Sequence, residues 1–167
     1  MLAVRVNMTK EMLNDSKFFL KMARKSPEDR EMSRRYLRAS LLYVCIAVEG
    51  YVNNFILDYV EKNKDSLEKD IEKYLTSEIS IHTKLTVGLK IITGDSLKNK
   101  KEPYRTFKEM NYMRNKIVHY SSDEQGEEVY EQLTLETVEK AIKNAKDMII
   151  GIHQLEGSDY PLWVREI

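Results

Sequence analysis

The chain has 167 residues, 27 of them basic and 27 acidic, so its formal net charge is zero at pH 7. This length predicts a single domain over residues 1–167, with a core large enough to need no disulfide or metal for stability. The balanced charge excludes a global field that would attract nucleic acid, so any such attraction must come from local basic patches. The lone cysteine, Cys45, lies in an apolar run, which predicts a buried thiol in a reducing compartment.

The N-terminal segment lacks the apolar stretch and cleavage site that are typical of a signal peptide. The longest apolar run, Leu41 to Val48, is far shorter than the roughly 20 residues needed to span a bilayer. We therefore expect a soluble, cytoplasmic protein.

Three prolines and six glycines interrupt the chain, and strand-like alternation is absent. The pattern predicts an all-α, up-and-down bundle of four to five main helices with one long central helix. The first helix should begin near Thr9. Ser26 is a typical N-cap and Pro27 a typical first helical residue, so the second, central helix is predicted from Pro27 to about Lys62. Gly50 within that helix predicts the close approach of another helix or another chain.

Shorter helical segments are predicted over Ser66 to Leu75 and Ile79 to Ile92, with Gly94 as a typical helix end. Residues 95–102 should form a loop. The next helix, Tyr104 to Tyr120, follows Pro103 and has apolar residues at spacings of three and four.

The polar stretch 121–133 predicts a mobile loop or a small hairpin. Thr134 is the expected N-cap of the last long helix, which should reach about Leu155. The tail after it contains Trp163 and is too apolar for a free end, so we expect it to pack on its own body or on a partner.

The helix predicted over Tyr104 to Tyr120 ends in a polar set formed by Arg114, Asn115 and His119. On a regular helix Asn115 and His119 lie about 40° apart around the axis, whereas Arg114 and His119 lie about 140° apart. A straight helix therefore does not bring the three side chains to one point. Either the helix unwinds near His119, or the same residues of a second chain complete the site.

This R-N-x-x-x-H pattern resembles the signature of the HEPN families (higher eukaryote and prokaryote nucleotide-binding), in which a histidine follows an arginine by four to six residues. Two further segments resemble those families in order and spacing: a long apolar helix, Leu41 to Val60, which carries Glu49 and Asn53, and the segment Lys84 to Gly94. The resemblance covers roughly residues 30–150, which is most of one domain. It implies a HEPN-like helical fold and a homodimer.

For activity, the resemblance implies a metal-independent endoribonuclease of the toxin or phage-defence type, without a cofactor. His119 would act as general acid or base, since an imidazole exchanges protons near neutral pH. Arg114 would bind the scissile phosphate, and Asn115 would orient the imidazole or donate to a phosphate oxygen. The residues also allow a structural interpretation, in which His119 caps its helix and Arg114 pairs with a buried acid such as Glu49.

Glu49 and Asn53 lie one helical turn apart in a segment that otherwise buries its side chains, so the carboxylate needs a partner. Arg114 is the candidate, and the pair could serve architecture or support catalysis. Some HEPN toxins carry a tyrosine two residues after the histidine, which a cognate nucleotidyltransferase antitoxin modifies. Here Tyr120 follows His119 directly, so we interpret it as a ring packing beside the site.

Arg30, Arg34 and Arg38 follow one another at intervals of four and share a face of the second helix. They could bind RNA phosphates, in which case activity would fall with salt. The alternative is a solvated face whose arginines pair with neighbouring acids such as Glu31.

The remaining histidines, His82 and His153, have no second ligand at metal spacing, and no metal site is predicted. A second functional hypothesis is a non-catalytic HEPN module that binds nucleotide, RNA or a partner protein. A third is one half of an operon-encoded pair, such as a toxin with its antitoxin, in which the tail around Trp163 docks on the partner.

Overall fold

A computed structural model of the chain describes residues 2–99, 101–119 and 129–166. Every regular element in those ranges is helical, which confirms the predicted all-α class. The α-helices are α1 (Leu2–Lys25), α2 (Arg30–Lys62), α3 (Lys69–Thr76), α4 (Ile81–Thr83), α5 (Leu89–Thr93), α6 (Lys101–Val118) and α7 (Leu135–Glu156). Of these, α1, α2, α6 and α7 are the long ones, in line with the predicted four to five main helices. A π-helical turn, Lys84–Gly88, joins α4 to α5, and 3-10 turns span Leu97–Asn99 and Leu162–Glu166.

The long helix α2 lies at the centre, packed against α1, α3, α5, α6 and α7. Its fully buried side chains are mostly aliphatic and include Leu41, Val44 and Val52, each with no exposed surface. Burying a side chain of that size contributes about 1.5–3 kcal/mol, so the many contacts of α2 supply much of the stability of the fold. Cys45 is buried among them, as expected.

The start of α2 differs from the prediction. The helix begins at Arg30 with Asp29 as N-cap, whose carboxylate accepts a hydrogen bond from the Met32 N–H at 2.9 Å. Ser26 instead stays with the preceding helix, because its N–H donates to the Ala23 carbonyl at 3.2 Å. Both residues are favourable caps, and sequence pattern alone does not rank them.

The other boundaries fall close to the predicted ones, with informative exceptions. α1 begins at Leu2 rather than near Thr9. The segment predicted as one regular helix from Ile79 to Ile92 contains the π-turn in its middle, and it ends at Gly94, whose φ of 83° is the left-handed conformation that glycine adopts without strain. Of the predicted loop over 121–133, residues 129–132 are helical, and 120–128 lie outside the described residues.

The ends of α6 and α7 behave largely as the sequence indicates. Glu102 has extended backbone angles, so regular helix follows Pro103, but α6 ends at Val118 rather than at Tyr120. Thr134 caps α7 by accepting the Thr137 N–H at 3.2 Å, and Gly157 ends it in the left-handed conformation.

The C-terminal tail packs on the body of the same chain, one of the two predicted alternatives. Val164 is completely buried, and the Trp163 ring packs edge-on against Tyr51 with 6.3 Å between centroids. The tail therefore closes the bundle over one side of α2.

Within the described ranges, α2 is also the one helix long and apolar enough to cross a membrane by length and composition. Half of its most apolar window is buried inside the bundle. A core helix of a globular bundle has the same properties, so this finding does not distinguish the two environments.

Candidate active site at the end of helix α6

Helix α6 is anchored by one apolar face, and the predicted site residues lie where that face ends. Phe107, Met110 and Met113 are buried against the body of the bundle. Beyond them Arg114 is half-buried, whereas Asn115 and His119 are exposed. The last turn of α6 therefore presents its polar groups to solvent from a fixed helix.

Arg114 is held by two neighbours. Its Nη1 donates to Asn115 Oδ1 at 2.8 Å, and its Nη2 lies 3.8 Å from Glu49 Oε2 on α2. The two charged side chains are 27% and 28% exposed, so Glu49 is not the buried acid that the structural interpretation requires. An ion pair this open to water contributes at most about 1 kcal/mol, which leaves the guanidinium available to exchange Glu49 for another anion.

His119 continues the helical hydrogen bonding of α6. Its backbone N–H donates to the Asn115 carbonyl at 2.9 Å, so the chain does not unwind before this residue. In the part of the chain that the structure describes, the His119 imidazole makes no hydrogen bond or ion pair, and it caps no helix carbonyl. Of the two solutions to the divergence of Arg114 and His119, unwinding is therefore not observed. Completion by a second chain stays a prediction.

Asn53 has a different partner from Glu49. Lys84, the first residue of the π-turn, donates from Nζ to Asn53 Oδ1 at 2.8 Å. Because Glu49 and Asn53 are one turn apart on α2, the π-turn and α6 bring two cations, Lys84 and Arg114, to neighbouring positions on that helix. Lys84 was not predicted as a site residue, because a π-turn has no clear sequence signature, although it does open the segment that resembles HEPN proteins.

The face of α2 beside these cations is apolar and open. Ile46, Gly50, Asn53 and Leu57 follow at intervals of four, three and four, and Ile46 and Leu57 are 41% and 39% exposed. A Cβ added at Gly50 would meet no atom within 4 Å. Among the described residues the glycine therefore serves no close approach, and the alternative of another chain stays open.

The three arginines predicted to bind RNA differ in their surroundings. Arg38 Nη1 donates to the Tyr130 hydroxyl at 3.2 Å, and its guanidinium lies 5.4 Å from the centre of that ring. Arg30 is exposed and Arg34 is half-buried, and within the described residues neither makes an ion pair. Along α2, Arg38 lies about 16 Å and Arg30 about 28 Å from Glu49. These arginines could therefore bind only phosphates several nucleotides away from the one at Arg114.

Sequence reasoning missed a polar contact on the buried side of α6. The His82 ring packs edge-on against Tyr104 and Phe107, and its Nε2 lies 3.3 Å from Asn111 Nδ2. Burial lowers the pKa of His82, and the nearby Lys108 lowers it further. His82 Nδ1 and Asn111 Oδ1 are buried without a partner, so this contact is incompletely satisfied.

The Cys45 thiol contributes no chemistry here. Burial raises the pKa of the Cys45 thiol to about 12, so the thiolate is not available as a nucleophile. Tyr120 lies outside the described residues.

Metal ligation has no candidate among the residues that the structure describes, since no three His, Cys, Asp or Glu side chains lie close enough together to hold an ion. Compared with models of known protein families, with curated proteins and with solved structures, the chain has no match.

Proposed function

We propose that the chain is a metal-independent endoribonuclease of the toxin or phage-defence type, as the HEPN resemblance implies, acting in the cytoplasm as a homodimer. The observation that carries the proposal is the end of α6, where a solvent-reachable imidazole follows an arginine that Asn115 and Glu49 hold in place. No other part of the described chain presents a histidine and a positioned arginine together to solvent.

The reaction requires little beyond these groups. The ribose 2′-oxygen attacks the adjacent phosphorus, the bond to the 5′-oxygen breaks, and a 2′,3′-cyclic phosphate remains. A base accepts the proton of the 2′-hydroxyl, and an acid returns a proton to the departing 5′-oxygen. Two copies of His119, one from each protomer, could take these roles, while Arg114 opposes the negative charge that builds on the phosphate.

The exposed face of α2 supports the dimer. Ile46, Gly50 and Leu57 form a partly exposed apolar strip next to the Arg114–Glu49 pair, which a second copy of the chain could cover. A second copy packed there by two-fold symmetry would present the same strip and would bring its own Arg114 and His119 to the same cleft.

Cleavage of RNA by the purified protein in the presence of EDTA is the direct test. His119→Ala should abolish cutting, with circular dichroism and sedimentation unchanged, and the products of the unaltered protein should end in a cyclic phosphate. Asn99→Ala, in an exposed turn just before α6 and so at the other end of that helix from His119, is the control and should cut at the normal rate. Equal cleavage by His119→Ala, or loss of all cleavage in EDTA that Mg²⁺ restores, would exclude the proposal.

A second candidate is a non-catalytic module of the same fold that binds nucleotide, RNA or a partner protein such as an antitoxin. The observation in its favour is that Arg114 and Arg38 already have partners, Glu49 and Tyr130, which suits binding and architecture as well as catalysis. RNA binding without cleavage, lost in Arg114→Ala and retained in His119→Ala, would favour this candidate.

A further inference from the structure

A chain of hydrogen bonds links four side chains on the other side of the bundle. Tyr51 Oη on α2 bonds to His153 Nε2 on α7. His153 Nδ1 lies 2.7 Å from Ser158 Oγ, which in turn donates to Glu156 Oε2 at 2.6 Å. We refer to these four residues as the relay.

The donors of the relay have one consistent direction. Ser158 has a single hydroxyl hydrogen and gives it to Glu156, so it must accept from His153 Nδ1–H. His153 Nε2 then carries the lone pair, and Tyr51 O–H donates to it. Burial lowers the pKa of His153, which keeps the imidazole neutral and able to accept. The Tyr51 oxygen retains its own lone pairs for a further donor.

The relay is separate from the Arg114 site. Around α2, Tyr51 lies about 200° and Asp58 about 180° from Glu49, on the opposite face of the helix. The aromatic tail covers this face, through the contact of Trp163 with Tyr51. A ligand bound on this face would therefore lie on the opposite side of α2 from the Arg114 site.

Tyr51 and His153 line a cavity of about 410 Å³ between α1, α2, α7 and the tail. Cavities of about 300–1,000 Å³ are the size that small-molecule sites use. Three aromatic side chains of α2 form one wall, and Pro161 contributes from the tail; the wall residues are Tyr51, Phe55 and Tyr59. The Phe55 ring packs edge-on against the His153 ring, with 6.0 Å between the ring centroids, so the aromatic wall helps to hold the His153 ring in position.

The polar lining favours a positive ligand over a negative one. Asp58 and Glu156 both line the cavity, and Lys62 lies at the same site. Burial raises the pKa of Tyr51, and the carboxylates of Glu156 and Asp58 raise it further, so among the described residues the charges that act on the hydroxyl are negative; Asp58 also has an interaction of its own. A ligand N–H⁺ group at the Tyr51 oxygen would gain from that field, and aromatic ring faces attract cations as well.

We propose that this cavity is a binding site for a small organic cation, a primary amine attached to an apolar or aromatic body. Its ammonium group donates to Tyr51 Oη on the side of Glu156 and Asp58, and its body packs against Phe55 and Tyr59. The relay holds the Tyr51 hydroxyl with its hydrogen turned away from the ligand, so that the oxygen accepts.

Isothermal titration of the full chain with three ligands of similar size tests the site: 2-phenylethylamine, 2-phenylethanol and 3-phenylpropionate. We expect saturable binding of the amine and binding of the alcohol weaker by about tenfold or more, because the alcohol lacks the charged hydrogen-bond donor. We expect no binding of the carboxylate, because the acidic side chains of the cavity repel it. Absence of saturable amine binding, or similar affinity for all three ligands, would overturn the proposal.

Variants locate the site. Tyr51→Phe keeps the ring and removes the acceptor, and Glu156→Gln removes the charge but keeps an oxygen for Ser158; each should weaken amine binding by about tenfold. Tyr43→Phe, on the same helix beside Phe19, is the matched control and should bind as the unaltered chain does. Thermal melts verify folding, and because Glu156 is partly exposed its variant remains informative even if Tyr51→Phe is unstable. Amine binding that neither Tyr51→Phe nor Glu156→Gln weakens would place the ligand elsewhere and refute the assignment.

Discussion

Two of the histidine-containing clusters of this bundle are built in opposite ways. At the end of α6, His119 is exposed and its imidazole has no partner within the described residues, whereas His153 lies on the far side of α2 and uses both ring nitrogens in the relay. A relay completed inside one chain fixes the tautomer of its imidazole. An exposed imidazole keeps both nitrogens free, and it gains orientation only when a second molecule arrives.

The contrast indicates where each kind of chemistry can occur. Proton transfer to a substrate needs a histidine that substrate can reach, which suits His119. Selective binding needs groups whose donors and acceptors are already oriented, which suits Tyr51 and His153. We therefore expect changes at α6 to alter activity with little effect on stability, and changes at the relay to do the reverse.

Removing the guanidinium should have a large effect on the chemical step. Arg114→Ala is expected to lower RNA cleavage by about 10²–10³-fold, the usual loss for one group that stabilises transition-state charge. Arg105→Ala on the same helix is the matched control, since Arg105 is an exposed arginine paired with Glu102. Single-turnover rates measure the effect. A loss equal to that of the control would show that Arg114 does not contact the phosphate.

Disrupting the proposed dimer should also have a large effect on cleavage. Gly50→Gln places a long neutral side chain on the exposed strip, where a Cβ meets nothing within the chain, and it removes the cost of about 1 kcal/mol that glycine carries in a helix. We therefore expect a folded monomer, with cleavage lost. Sedimentation velocity and RNA cleavage measure the two properties.

The control for that change is Phe18→Gln, which alters an apolar side chain of α1 that is 55% exposed and distant in sequence from the strip. It should leave the dimer and the cleavage rate unchanged. A Gly50→Gln protein that remains dimeric and active would place any interface on another surface.

How much of the fold and of the candidate site can be predicted from the sequence depends on the kind of interaction. The long α2, the Thr134 cap and the Gly94 stop are local patterns, and the sequence predicted them. The Arg114–Glu49 contact was also predicted, because an acid in an apolar helix needs a partner. The exposure of that pair was not predicted, since it depends on how far α6 lies from α2.

The relay escaped prediction for a physical reason. Tyr51 and His153 are separated by 102 positions, and only the packing of α7 on α2 brings them together. His153 belongs to no metal-binding cluster within the described residues; its partners are a phenol and a hydroxyl, residue types too common to form a recognisable motif. Ser158 follows the left-handed Gly157, so the turn that ends α7 also places the relay hydroxyl.

The relay should also give the fold a dependence on pH. Because burial lowers the pKa of His153 in the folded state, the unfolded chain binds a proton more readily, and the stabilising contribution is complete only above the unfolded pKa of about 6.5. The free energy of unfolding should therefore fall as pH decreases from 7.5 to about 5.5. His82 changes it in the same direction, since its pKa is lowered too.

Urea unfolding at both pH values tests this prediction. His153→Gln should be less stable at pH 7.5 but should lose less stability on acidification than the unaltered chain. Asn99→Ala, which alters an exposed side chain without an ionisable group, is the control, and its pH dependence should match that of the unaltered chain. Equal pH dependence in all three proteins would assign the effect to other groups.

The smallest expected effect concerns the pair that links α2 to α6. Glu49→Gln removes the charge opposite Arg114 but keeps an oxygen that can accept from the guanidinium. Since both side chains are about a quarter exposed and the closest N–O distance is 3.8 Å, the free energy of unfolding should change by no more than about 1 kcal/mol. Cleavage should fall less than in Arg114→Ala, because Asn115 still holds the guanidinium at 2.8 Å. A loss of cleavage as large as that of Arg114→Ala, with stability unchanged, would instead show that the Glu49 carboxylate takes part in the reaction, which would assign to α2 a catalytic role beyond its place in the core.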